Sequence, residues 1–283
     1  MEHIGVLYSR ESMHEALRWL QASFDDQPAV TPPYLDARGG WILVLLAGIV
    51  LLARPLSALL PVVASEPVGA GLGWRTLGPI FLVCAVTTPL VLRVLPTHFL
   101  PVLVADYLAA HFLMYGLISA LGLWWARRVA ARPAARVSLV HFALATLACT
   151  VYATGGLGWA LDRYVMSFVP GAERAVLILA MLIGTLAFFL TDEWLTRGPG
   201  AATGSYAVAK LAFLVSLAIA VGLDFERLFF LLIIVPAIVA FFLVFGVFSS
   251  WTYRRTAHHW VGGIANAVSF AWAIGVTFPL LAG

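Results

Sequence analysis

Eight apolar stretches fill most of this chain, at about residues 41–63, 74–95, 99–125, 137–160, 173–195, 206–223, 226–249 and 260–282. Most of them exceed the roughly 18 residues needed to cross a hydrocarbon layer. A backbone amide in such a layer has no water to bond, and only a helix satisfies every N–H and C=O within a single segment. Only 11% of the residues are charged, against roughly 25% in ordinary soluble domains. The expected fold class is an all-α integral membrane protein, a bundle of about 7–8 transmembrane helices with a short amino-terminal amphipathic helix. Arg54-Pro55 interrupts the first stretch, which could be broken or re-entrant there. Pro61, Pro79, Pro89, Pro101 and Pro236 are expected to kink helices, and Gly155, Gly156 and Gly158 read as a flexible span end.

The first 24 residues have a different pattern. Met13, Leu17, Leu20 and Phe24 recur at helical spacing, and Arg10, Glu11, His14, Glu15, Arg18 and Gln21 cover the rest, an amphipathic helix over Ser9–Phe24. Ile4-Gly5-Val6-Leu7-Tyr8 before it suits a short buried strand. One strand and one short helix cannot bury their own apolar faces. The expected organisation is therefore 1–24 as a remnant of a soluble domain, 25–40 as a linker and 41–283 as the polytopic region. No signal peptide is expected, because residues 1–24 are amphipathic rather than continuously apolar.

His3-Ile4-Gly5-Val6-Leu7-Tyr8-Ser9, leading into a helix with Arg18-Trp19-Leu20, resembles the end of an α/β-hydrolase domain. Further on, Glu226 to Phe230, Trp251-x-Tyr253-Arg254-Arg255-Thr256, Gly262 to Ala267 and Phe270-Ala271-Trp272 are similar to bacterial α/β-hydrolase-family proteins with a multi-span carboxy-terminal region. The resemblance implies a serine esterase or lipase type of protein with His3 as the triad histidine. That chemistry needs an elbow serine and an acid earlier in the chain. No serine in this sequence has glycine two residues before it, so the chain alone is expected to lack the activity and to serve as the membrane anchor of a hydrolase.

Within the apolar stretches the polar candidates are Asp106, Tyr107, His111, Tyr115, Arg54 and Asn266. Ionisable groups at such depth are costly and mark functional sites by default. At about 100° per residue, Tyr107, His111 and Tyr115 share one stripe, and Asp106 lies about 140° from His111. An antiparallel hairpin of the third and fourth spans would bring His111 level with Thr150 and Tyr152. These residues could form a proton relay or polar pocket, and they support a second reading as a small transporter or channel. Asn266 reads as interhelical glue. Asp192-Glu193 and Asp224 to Arg227, at span ends, read as solvated boundaries. A third reading is a structural or partner-binding membrane protein.

Arg127, Arg128, Arg132 and Arg136 crowd one loop, and Arg254, Arg255, His258 and His259 another. With eight spans both lie on one side, cytoplasmic by the positive-inside rule, with both termini outside a bacterial inner membrane. The expected partners are the lipid bilayer and a soluble hydrolase domain. No basic cluster with interleaved aromatics points to nucleic acid, and no His/Cys/Asp/Glu spacing points to a metal or other cofactor. Cys84 and Cys149 read as small buried apolar residues.

Overall fold

The computed structural model describes residues 9–24, 38–129 and 135–280. His3 and the expected strand over 4–8 lie outside the described residues. The chain divides into two compact units, residues 1–48 and 49–283. The described residues form helices, with no pairing beyond isolated bridges such as Ala64 with Val137.

The helices are α1 (Arg10–Phe24), α2 (Arg38–Ser57), α3 (Trp74–Leu92), α4 (Ala105–Val129), α5 (Leu139–Thr150), α6 (Leu157–Tyr164), α7 (Ala175–Thr196), α8 (Ser205–Leu223), α9 (Phe225–Leu228), α10 (Phe230–Thr256) and α11 (His259–Thr277). Among the described residues, eight helical stretches are long and apolar enough to cross a membrane. The first is continuous through Arg54, and Pro55 falls in its last turn, where the helix ends anyway. The fourth is α5 and α6 joined by a π-helical turn, Val151–Gly156. The glycines expected to end that span instead lie within it, because the wider turn carries the helix past them.

The third span begins later than its hydropathy indicates. Residues 99–104 are not helical, and Asp106 sits in the first turn of α4 rather than well inside an apolar helix. Nor do the third and fourth spans form a hairpin. Instead, α4 packs on α7 and α3, while α5 packs on α11. Small residues decide this. A Cβ at Gly116 would stand 2.4 Å from the Ala187 carbonyl carbon, and one at Gly184 2.4 Å from the Ala109 oxygen. The α4 and α7 backbones thus meet almost directly, the approach that small residues permit between helices.

Phenylalanines from five helices fill the centre. Phe112 of α4 lies 4.6 Å from Phe213 of α8, Phe188 of α7 4.7 Å from Phe213, Phe189 4.8 Å from Phe270 of α11, and Phe242 of α10 5.3 Å from Phe270. Rings at these separations add to the burial itself.

At one end of this core an irregular strap, residues 58–73, crosses the helix ends. Val63 and Ala64 N–H donate to Thr256 O, Ala70 N–H to Trp194 O and Gly71 N–H to Arg197 O. At Gly69 a Cβ would stand 2.3 Å from the Arg197 carbonyl carbon, and the facing Gly198 has φ +109°. Two backbones cross there with no room for a side chain on either. At the opposite end Arg174 donates to the Gly275 and Phe278 carbonyls and Trp272 to Phe168 O.

Candidate functional site

A buried charge cluster lies beneath the strap, where α7 ends and α8 begins. Asp192 and Glu193 belong to the last turns of α7 and are 5% and 0% exposed. Sequence reasoning placed them in solvent, and the structure corrects this. Being consecutive, they leave the helix about 100° apart and meet different neighbours. Asp192 accepts a hydrogen bond from Lys210 Nζ, one turn into α8. Glu193 accepts one from Ser249 Oγ of α10, and its Oε2 lies 2.9 Å from Arg197 Nε, four residues on. Glutamate followed by arginine at that spacing is the favoured order for a helical pair.

Arg197 closes the set. Its Nη2 donates to Ser249 Oγ at 3.2 Å and to Ser250 Oγ at 3.4 Å. Its guanidinium stands 4.5 Å from the Tyr206 ring centroid, and Lys210 Nζ stands 3.9 Å from the same ring. Tyr206 therefore lies against both cations, an arrangement that gains from desolvation. Burial works to lower the Arg197 pKa, but Glu193, Tyr206 and Asp192 around it together more than offset this and raise it. Charged groups this deep persist only when paired and hydrogen-bonded. Two cations balance two anions here, so the set carries no formal net charge.

Cavities flank the cluster. One, of about 590 Å³, is lined by Tyr206, Lys210 and Ser250. Another, of about 450 Å³, has Ser249 in its wall. On the strap side, Val68 O lies 3.0 Å from His259 Nδ1, and His259 stacks on His258 with ring centroids 4.9 Å apart. His258 caps α11 by accepting from Trp260 N–H at 3.2 Å, and burial lowers its pKa.

The residues singled out from sequence are placed elsewhere. Asp106 fastens the loop before α4: its Oδ2 lies 3.1 Å from both Phe99 N and His98 Nδ1, and its Oδ1 2.8 Å from Tyr107 N. Tyr107, His111 and Tyr115 do share a stripe. The Tyr107 and His111 rings lie 5.8 Å apart, and His111 and Tyr115 both pack on Phe213, at 5.3 and 5.2 Å. Neither His111 nitrogen nor the Tyr115 hydroxyl has a hydrogen-bond partner among the described residues, so no hydrogen-bonded relay links them to Asp106. Arg54 is exposed. Asn266 is buried, and its Nδ2 has no partner among the described residues, in place of the interhelical bond expected of it.

Lys210 carries no site signal in the sequence, since a single lysine near a span end is ordinary. The available signal was Asp192-Glu193 with Arg197 four residues beyond Glu193, two carboxylates and a guanidinium gathered at one helix end. Among the described residues these features define an all-helical fold with eight long apolar helical stretches and a desolvated ionic cluster. No family model, curated protein or solved structure matches the chain.

Proposed function

We propose that the apolar helices form the membrane-embedded region of a bacterial α/β-hydrolase-type protein, and that α1 docks on the hydrolase body. The observation that carries this reading is α1 itself. None of its residues is buried, and Trp19 and Phe24 are 67% and 76% exposed. Fifteen residues make a marginal helix in water without a packed face, so the apolar side of α1 calls for a partner. The resemblance of residues 3–20 to a hydrolase terminus supplies its identity.

The end of the bundle with Arg75, Arg136, Arg197, Arg254 and Arg255 would face the cytoplasm across the inner membrane. Supporting this, the described residues of the opposite end carry four arginines, Arg93, Arg163, Arg174 and Arg227, against those five and Lys210.

Fluorophosphonate labelling of native membranes tests the proposal. The labelled species should yield peptides of residues 38–277 alongside an elbow-serine peptide, in one chain or in a stable complex. Labelled hydrolases from which residues 38–277 are always missing would overturn it.

A second reading, a carrier, draws on the charge cluster rather than on Asp106 and His111. Ser249 and Ser250, consecutive on α10, line different cavities, and both bond the same arginine. Proton-coupled uptake into proteoliposomes that disappears with Asp192→Asn would favour it. Equal uptake by wild type and variant would count against it.

A further inference from the structure

The 590 Å³ cavity is a groove between α8 and α10, and every residue lining it belongs to one of those two helices. Tyr206, Lys210 and Leu214 of α8 and Leu243, Val247 and Arg254 of α10 recur at spacings of four and seven, so one face of each helix forms a wall. The main packing partner of α8 is α3 and that of α10 is α11, which leaves the groove between them unfilled. Leu211 and Leu243, 59% and 66% exposed, flank it, so it opens away from the core.

Its polarity is graded. Tyr206, Ser250, Trp251 and Arg254 lie at the end where α8 starts and α10 finishes, and Leu214, Val239 and Leu243 lie deeper. From Arg254 to Val239 the groove follows α10 for fifteen positions, roughly 22 Å. That exceeds half of a hydrocarbon core roughly 30 Å thick.

Two cations and no carboxylate line the groove. Lys210 is committed to Asp192. Arg254 is exposed, and its guanidinium makes no hydrogen bond or ion pair among the described residues. Trp251, three positions earlier and so on the same side of α10, is half-buried. Its Nε1 also has no partner among the described residues and, unlike that of Trp260, is not enclosed. An open guanidinium and an open indole N–H therefore stand together above an apolar channel.

We propose that this groove holds an anionic phospholipid, with its phosphodiester on Arg254 and the Trp251 N–H and one acyl chain along Leu214, Leu243 and Val247. A guanidinium offers the paired donors that phosphate oxygens accept. Tryptophan and arginine at a span end sit at headgroup depth, where basic pockets between spans bind acidic headgroups. A zwitterionic lipid brings a cation of its own, for which the groove has no carboxylate. A free phosphate would leave the apolar walls uncovered. The assignment rests on the reading of these helices as membrane-spanning, and on neither the hydrolase nor the carrier.

The test places the full chain in phosphatidylcholine nanodiscs with a minor share of phosphatidylglycerol carrying a diazirine on its acyl chain, or of phosphatidylcholine with the same chain. Photolysis and peptide mapping should put phosphatidylglycerol adducts on residues 207–214 and 239–247, roughly three- to tenfold above those of phosphatidylcholine. Arg254→Gln should remove that preference and, having no partner to lose, should melt like the wild type. Arg75→Gln, which deletes an exposed arginine at the same end, should leave the preference intact. Val247→Trp, which fills the groove, should remove the adducts of both lipids there. Inorganic phosphate at matched ionic strength should displace nothing. A preference that survives Arg254→Gln, or falls equally with Arg75→Gln, would overturn the proposal, and so would displacement by inorganic phosphate. A chain that stays out of the nanodiscs would sink the membrane reading and this site with it; one that enters without preference sinks the site alone.

Discussion

Lys210 reaches across 18 positions of sequence to bond the Asp192 carboxylate, and both side chains are more than nine-tenths buried. Neither charge is tenable at that depth without the other.

Breaking this pair should therefore be costly. Lys210→Met leaves Asp192 uncompensated and should destabilise the protein by about 3–5 kcal/mol, whereas Asp192→Leu with Lys210→Met should recover at least half of that. Thermal unfolding in detergent would measure both. A near-neutral single variant would mean that the pair does not form.

Two helical glycines should respond in opposite directions. Gly184→Ala drives a Cβ to 2.4 Å from Ala109 O and should cost about 1–3 kcal/mol as α4 and α7 are pushed apart. Nothing lies within 4 Å of a Cβ at Gly78, inside α3, so Gly78→Ala should stabilise by about 0.5–1 kcal/mol. The difference in their unfolding midpoints checks the close crossing.

The strap end should be acid-sensitive. Burial lowers the His258 pKa from an ordinary 6.5, so below about that pH the unfolded chain binds more protons at this site than the folded one. The stability His258 contributes is complete well above pH 6.5 and is lost as pH falls through that value toward the depressed folded pKa. His258→Asn, which keeps a side-chain acceptor for the α11 cap, should flatten this dependence. The measurement is the difference in melting temperature between wild type and variant from pH 8 to pH 5.

The cysteines should separate by access. Cys84 is fully buried beside Ser119, 3.3 Å away, while Cys149 is only partly buried and lines the 450 Å³ cavity. N-ethylmaleimide on the folded protein should modify Cys149 and spare Cys84, read by peptide mass. Equal modification would mean that the cavity is closed or that the core around Cys84 is open.

Sidedness is checked with cysteine substitutions at exposed Glu66, on the strap, and Glu173, at the opposite end. In sealed vesicles of known orientation an impermeant maleimide should reach only one of them. The cytoplasmic side should be that of Glu66.

The apolar helices are legible in the sequence because their cause is local. A run of apolar residues leaves the backbone to satisfy itself, and every helix of that kind appears close to where hydropathy puts it. The same local averaging fails at the ends. It carries the third span back over residues 99–104, although Asp106 bonds Phe99 N–H at the start of that segment and His98 just before it, and holds it as a loop. Likewise it leaves Asp192 and Glu193 in solvent, because their partners Lys210 and Ser249 lie 18 and 56 residues away. Which helices become neighbours rested on Gly116 and Gly184, and where the strap crosses on Gly69 and Gly198, whose missing side chains matter only once another backbone arrives. Composition, acting over one turn at a time, determined that this chain would be helices; the pairing of distant charges and the close passage of backbones decided what those helices bury.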